Sequence, residues 1–324
     1  MLNINRLQLL REVANRKTIA ATADAFFMTP SAVSQQLSVL EREAGVPLLK
    51  KAGRGVELTS AGNLLVKNSE EIFAAIERAE AQLIDTSKGL SGNVKISAFP
   101  TSQRALVVPA VVTLQKNHPN LHLHIQDLEP EYSLPMLGAG DLDVAVYYEW
   151  NVLPTIPAKG IETYTLVTEN VYLGMPATHP LAKVKRSIGI SELSDENWIV
   201  GRESTSMLQF VSAATAQAGF SPRASFQSMD FDVILTAVEA GLGIALVPPL
   251  AFMETTSHKQ KVVYKSLAEL HLHRTAKVAV RKGSEFNPLI KEVLRTFQAQ
   301  ASSVQYRLDL LHTSLKENFL YTRS

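Results

Sequence analysis

Between positions 29 and 35 the chain offers the hydroxyls of Thr29, Ser31 and Ser34, the amide of Gln35 and the fixed ring of Pro30. Short polar side chains of this kind donate and accept hydrogen bonds without bulk, and a glutamine amide pairs in bidentate fashion with adenine. The chemistry on offer is contact with base edges, provided the groups share one face of a rigid rod. Further on, Lys50 and Lys51 supply cations that can neutralise phosphates. Arg54, flanked by Gly53 and Gly55, suits the tip of a hairpin that reaches a narrow minor groove.

The elements needed to position these groups are legible. Ile4, Leu7, Leu10 and Val13 recur at helical spacing. Thr18 can cap a second helix from Ile19 to about Phe27, whose alanines allow close approach of a neighbour. Thr29 suits the N-cap and Pro30 the first turn of a third helix, which Gly45 ends. Val33, Leu37 and Leu40 form its apolar stripe, and Ser31, Ser34, Gln35 and Ser38 its opposite face. Two short strands around Gly53-Arg54-Gly55 make a wing. A solvated amphipathic helix in any small bundle explains the third helix alone equally well; the wing beside it favours a recognition helix.

Bulk properties bound the rest. With 324 residues, 46% hydrophobic and 19% charged, the chain has the composition of a globular protein of two or three domains. Its formal net charge is only +1, so any basic surface is local. It has no cysteine, which excludes disulfides, thiolate metal sites and thiol redox sensing. No signal peptide is read at the N-terminus, and no apolar run approaches the roughly 18 residues of a membrane span. A cytoplasmic location is expected.

Residues Ala20 to Gly62 resemble the helix-turn-helix of the LysR-type transcriptional regulators. The Ser31-Ala32-Val33-Ser34 run, Leu40-Glu41, Gly45-Val46-Pro47-Leu48, Gly53-Arg54, Leu58-Thr59 and Ala61-Gly62 fall in register. The resemblance implies base contacts from Pro30, Ser31, Ser34 and Gln35 and a groove contact from Arg54. Many members carry Gln-Pro where this chain has Pro30-Ser31, and arginine where it has Gln35, so their half-site preference does not transfer.

Thr59 can cap a long helix reaching about Lys88, with Leu65, Ile72, Ile76, Ala79 and Leu83 as a seam for a partner helix. The resemblance likewise implies a dimerising linker. Two-fold symmetry would set two recognition helices about 34 Å apart on a near-palindromic site. Gly89, Ser91 and Gly92 mark a hinge.

From Asn93 strands and helices alternate, which argues for mostly parallel sheets. Strands are expected at 94–98, 121–128, 143–147, 171–175, 198–200, 226–229, 244–247 and 275–280. Helices are expected from 101 or 102 to 116, at 206–218 and 231–240, and last from Pro288 to Phe297. The order, with Gly140-Asp141-Leu142-Asp143, His179-Pro180-Leu181 and Ala240-Gly241-Leu242-Gly243 as landmarks, resembles the two-lobed effector domain of the same family, related in fold to periplasmic solute-binding proteins. The expected fold class is therefore α/β overall. An all-α winged helix-turn-helix spans 1–58 and a linker helix 59–88. A two-lobed effector domain spans 89–300, its second lobe about 163–268. A tail of unassigned role, 301–324, carries Leu308, Leu311, Leu315 and Phe319 at helical spacing.

Ligands of open parallel sheets bind beyond the carboxyl ends of strands. Pro100, Thr101, Ser102 and Gln103 follow one strand, Arg202 and Thr205 another, and Ser228 and Asp230 a third. Each Ser or Thr taken singly is better explained as a helix cap; their convergence on one cleft is what the family fold implies. The effector expected there is small and polar or anionic, an anionic group suiting the helix N-termini. The function expected is that of a sequence-specific transcriptional regulator controlled by that effector, binding double-stranded DNA as a homodimer or tetramer, with RNA polymerase as a further partner. The alternative is an effector-independent architectural DNA-binding protein.

No catalytic constellation, cofactor or metal is expected. Gly241-Leu242-Gly243 follows a helix and precedes a strand, the wrong order for a nucleotide fingerprint. No G-x-S-x-G elbow is present. His122 with His124, and His271 with His273, alternate along strands but lack a third ligand nearby in sequence.

Overall fold

The structure, a computed structural model, describes residues 1–53, 55–83, 89–156, 160–254 and 261–320, the last five of these as helical backbone. Arg54 and residues 84–88, part of the expected wing tip and linker helix, lie outside the described residues.

The N-terminal unit forms as its capping residues dictate. Helix α1, Ile4–Arg16, starts where the Asn3 side chain accepts from the N–H groups of Asn5 and Arg6. Thr18 caps α2, Ile19–Ala25, through the Ala21 N–H. Phe27, with φ of 52°, makes the tight turn. Thr29 caps α3, Pro30–Ala44, through Ala32 N–H, and Gly45 in the left-handed region ends it. The wing pairs β1, Leu49–Ala52, with β2, Gly55–Leu58, antiparallel, Lys51 opposite Val56. Leu7, Leu10, Val13, Val33, Leu37, Leu40 and Leu48 form the core.

Helix α4, Ser60–Gln82, is capped by Thr59 and carries two apolar stripes. Phe73 is buried in the N-terminal core, with Leu65, Val66 and Ile76 packed against it, worth about 1.5–3 kcal/mol for Phe73 alone. Leu64, Ile72 and Leu83 stay exposed. The expected seam is thus divided: Leu65 and Ile76 serve the chain's own core, while Ile72 and Leu83 remain outward. At 100° per residue one face cannot serve both, and Phe73 pulls positions three and eight away toward itself.

The second domain has two lobes. In the first, β3 (Gly92–Ala98) is parallel to β4 (Leu121–Asp127) and β5 (Val144–Trp150). Between β3 and β4 run α5 (Pro100–Ser102), a π-helical segment (Gln103–Val107) and α6 (Val108–Asn117). Helix α7, Pro130–Ala139, joins β4 to β5. Strand β6, Ile161–Asn170, lies at the sheet edge. The second lobe holds β7 (Tyr172–Pro176), β8 (Asn197–Val200), α8 (Ser206–Ala216), β9 (Arg223–Gln227), α9 (Phe231–Glu239), β10 (Ala245–Val247) and β11 (Val262–Lys265). The chain returns through β12, His273–Arg281, which enters the first sheet antiparallel between β5 and β6. Helix α10, Pro288–Leu320, closes the fold.

Three expectations change. The sheets are mixed, because the returning strands β12 and β6 pair antiparallel and β7 is flanked antiparallel by β10 and β11. The second lobe's own strands begin at Tyr172 instead of near 163, because β6 pairs with β12 along its length. The final helix does not stop near Phe297: helix and tail are one 33-residue rod, its first half buried through Leu289, Val293, Phe297 and Val304.

The N-terminal unit docks on the first lobe of its own chain. Arg281 Nε donates to Glu77 Oε1 of α4 at 2.6 Å, and its Nη2 lies 3.3 Å from Asp143 Oδ1. Arg16 reaches Asp141 at 3.5 Å. Gly283 lies so close to α4 that a Cβ there would sit 2.3 Å from the Ala74 carbonyl oxygen.

Candidate functional site

The outer face of α3 is built as its spacing requires. Thr29, Pro30, Ser31, Ser34, Gln35 and Ser38 are all exposed, while Val33, Leu37 and Leu40 turn inward. The Thr29 and Ser31 hydroxyls lie 3.0 Å apart, so the cap also orients the first polar group of the face. Two contacts behind the helix hold it. Glu41 Oε1 accepts from the N–H groups of Leu48 (2.8 Å) and Leu49 (3.0 Å), pinning the wing to α3. Arg6 Nε donates to Gln36 Oε1 at 2.8 Å and also pairs with Glu43.

Lys50 and Lys51 are exposed on the wing. They are not equivalent: Lys50 Nζ is 3.2 Å from Glu57 Oε2 on the opposing strand, whereas Lys51 stands opposite Val56. Residues 1–58 hold eight Lys and Arg against five Asp and Glu, so positive charge is concentrated in this unit although the whole chain is nearly neutral.

The second candidate lies between the lobes. Phe99, Pro100, Thr101, Glu129, Tyr148, Trp150, Met207, Met229, Phe231 and Arg274 enclose a cavity of about 10 Å³, space for roughly one water. The lobes are thus drawn together. Trp150 of β5 stacks on Phe210 of α8 with ring centroids 4.1 Å apart. Glu131 Oε1 accepts from the Ser206 N–H at 2.9 Å, and Arg104 is paired with Asp232.

Arg274 is the pivot of this region. Only 1% of it is exposed. Its guanidinium pairs with Glu169 at 2.6 Å and donates to Thr101 Oγ1 at 2.8 Å. It lies 4.9 Å from the Phe99 ring centroid, 5.1 Å from Tyr148 and 5.4 Å from Trp150, within reach of the cation–π attraction. Tyr148 donates in turn to Glu129 Oε2 at 2.8 Å. Burial raises the Glu129 carboxyl above the usual carboxylate range, and neighbouring Glu131 and Asp127 add to the rise. Asp127 is raised as well, by burial and by Asp230 across the cleft.

Of the residues expected to hold an effector, Pro100 and Thr101 line the cavity. Ser102 is fully buried and donates to the Phe99 carbonyl at 2.7 Å. Gln103 donates back to the Ala98 carbonyl at 3.3 Å. Thr205 caps α8, and its hydroxyl donates to the Arg202 carbonyl at 2.6 Å. Arg202 itself is exposed, and its side chain does not line the cavity. Asp230 caps α9, and Ser228 Oγ accepts from the Asp230 N–H. Ser102, Gln103, Thr205, Ser228 and Asp230 are therefore engaged in local backbone bonds, Thr205 and Asp230 by accepting from orphan N–H groups of the next helix and the others with the backbone of the turn that precedes it. Nor does the charge suit an anion: Arg274 and Arg104 are paired with Glu169 and Asp232, which leaves the carboxylates Asp127, Glu129, Glu131 and Asp230 around the cleft. Sequence reasoning missed Phe99, Glu129, Tyr148, Trp150, Met207, Phe231 and Arg274. The alternation Val146-Tyr148-Trp150 on β5 was the one local signal for two of them.

Comparison with known proteins follows the same division. The model of the LysR substrate binding domain matches residues 87–302, and that of the bacterial regulatory helix-turn-helix protein, lysR family, matches 4–63. The transcriptional dual regulator GltC of Bacillus subtilis (strain 168) is 29% identical over 258 residues, 79% of this chain and 83% of that protein. The HTH-type transcriptional regulator AlsR of the same organism is 26% identical over 92% of this chain and 96% of its own length. Among solved structures, a full-length OxyR variant from Pseudomonas aeruginosa superposes with a TM-score of 0.60 at 20% identity, covering 92% of this chain and 98% of that one. Full-length BenM gives 0.56 at 19%, over 93% and 97%. At such identities these structures show a shared fold.

Proposed function

The chain belongs to the LysR family of bacterial transcriptional regulators, DNA-binding proteins controlled through an effector-binding domain, and from that premise we propose how its residues divide the work. Ser31, Ser34 and Gln35 read base edges, with Thr29 and Pro30 setting the start of the reading helix. Lys50, Lys51 and Arg54 bind backbone phosphate and groove. The observation that carries this reading is the exposed face of α3 from Thr29 to Ser38, polar apart from Pro30 and held by Glu41 and Arg6 from behind.

The working assembly is a homodimer through the outward stripe of α4, Leu64, Ile72 and Leu83, with pairs of dimers forming a tetramer. Its target is a near-palindromic promoter site, and RNA polymerase is the partner through which it acts, in the cytoplasm. The division of labour is 1–58 for DNA, 59–88 for pairing and 89–300 for the effector. Effector control requires that the ligand favour one arrangement of lobes and subunits over another.

The effector is a small polar molecule seated between the lobes against Thr101, Pro100, Tyr148 and Trp150. Carboxylates outnumber unpaired cations around the cleft, so an anion is not favoured. Some relatives are named as hydrogen peroxide-inducible genes activators; this chain has no thiol with which to sense peroxide.

Selection of bound fragments from genomic DNA with the purified protein, with and without cytoplasmic metabolites, tests the reading. A short imperfect palindrome whose footprint shifts with metabolite supports it. Binding that follows only salt and DNA length would return the protein to an architectural role.

A further inference from the structure

The family domain ends at residue 302, yet α10 continues unbroken to Leu320. What lies beyond is attached to both lobes. Val304 and Leu308 are buried in the large core cluster that takes in residues of both lobes. The Gln305 side chain accepts from the Thr168 N–H at 2.8 Å and donates to the Thr168 carbonyl at 3.1 Å, pairing with the free edge of β6 as a neighbouring strand would. Within the next two turns the helix also reaches the second lobe. Arg307 pairs with Glu254 at 2.5 Å. His312 Nδ1 lies 2.6 Å from the hydroxyl of Tyr172, the first residue of β7. Leu311 and Leu315 pack against the second-lobe core of Phe231, Phe252 and Val262.

Geometry makes this more than extra packing. Thr168 and Tyr172 flank the point at which the chain leaves the first sheet for the second lobe. Rotation of the lobes must bend the backbone between them. Gln305 and His312, which hold these two residues, are seven positions apart on one helix, about 10 Å at 1.5 Å per residue. A helical rod does not bend with a strand hinge, so the second lobe can swing only if the Tyr172, Glu254 and Leu311 contacts are released. Those contacts exist with the cleft nearly filled.

We propose that residues 303–315 form an inter-lobe strap that holds the cleft in its narrow state and sets the free energy an effector must supply to widen it. The strap concerns the hinge and stands whatever the effector is.

The chain has no cysteine, so Lys116→Cys in the first lobe and Gln217→Cys in the second, both at exposed positions, can carry spin labels at chosen points only. Distances are read in full-length protein diluted with unlabelled chain, without ligand. Two strap variants are compared with the parent. One ends at Asp309, keeping Gln305, Val304 and Leu308 but removing Leu311, His312 and Leu315. The other is the full chain carrying Arg307→Ala and His312→Ala, which serves if the shortened chain does not fold. A broader inter-lobe distribution with a longer mean in either variant is the expected result. Distributions that superpose on the parent's, even alongside a lowered melting temperature, would reduce the tail to ordinary packing and overturn the proposal.

Discussion

Arg274 and Glu169 form an ion pair with 2% and 0% of their side chains exposed, N···O 2.6 Å, at the point where both lobe-crossing strands meet. The pair is hydrogen-bonded on both sides: Arg274 to Thr101 in the first lobe, and Glu169 to the Leu250 N–H in the second at 2.7 Å. It therefore connects the cavity wall to the hinge.

Removing one member leaves a buried charge without its partner. Arg274→Met is expected to destabilise the effector domain by about 3–5 kcal/mol, and adding Glu169→Leu to recover most of that loss. Denaturant melts of the parent, both single variants and the double give the coupling. Additive losses, or a single-variant cost under about 1 kcal/mol, would mean that the two side chains do not act as a pair.

Glu129 provides a test with a sign. Burial raises its carboxyl in the folded protein, so the folded state takes up a proton more readily than the unfolded chain. Its favourable contribution is complete below the unfolded carboxylate value, about 4.3, and is lost as pH rises through the higher folded value. At neutral pH the residue therefore works against stability. Glu129→Gln keeps an oxygen for Tyr148 while removing the charge. The variant is expected to be more stable than the parent at pH 7, by on the order of 1 kcal/mol, with the advantage shrinking toward pH 4. A constant difference across that range would show that charge at Glu129 is not the cause.

On the DNA side, Gln35→Ala is expected to cost about 1–3 kcal/mol on the selected site and little on random DNA. The two wing lysines should separate in a salt titration. Lys51→Ala lowers the slope of log K against log salt by about 1; Lys50→Ala lowers it less, because Glu57 already neutralises part of its charge. Equal slopes for the two variants would deny Glu57 that role.

What was legible depended on the reach of each interaction. Helix α3 is specified by neighbours: Thr29, Pro30 and Gly45 fix its ends, and its apolar stripe fixes its orientation. The cleft is not. Arg274 finds Glu169 across 105 positions and Thr101 across 173, and nothing local in His273-Arg274-Thr275 separates it from a surface arginine in a strand. Of the Ser and Thr residues after the strands, Thr205 is a helix cap, whereas Ser102 donates to the Phe99 carbonyl and Thr101 accepts from Arg274, a partner no local reading offers. The continuity of α10 was available in principle, since neither Gly nor Pro interrupts positions 289–320. An end near Phe297 was expected because the partner that covers Gln305, the edge of β6, lies 137 residues away and is invisible to a local reading.

Within one chain α4 docks on the first lobe, and Arg281 is the centre of that contact. Its guanidinium bridges Glu77 on the linker helix to Asp143 on the lobe, and also bonds the Leu142 carbonyl. Glu77→Ala and Arg281→Ala are expected to show coupling of about 0.5–3 kcal/mol in a double-variant cycle. Gly283→Ala perturbs the same contact sterically, since its Cβ would meet the Ala74 carbonyl oxygen at 2.3 Å and the residue sits at φ of 98°. If this interface carries the effector signal, Arg281→Ala and Gly283→Ala still bind the selected site but lose the metabolite-dependent footprint shift. A shift preserved in both variants would send the signal through subunit contacts instead.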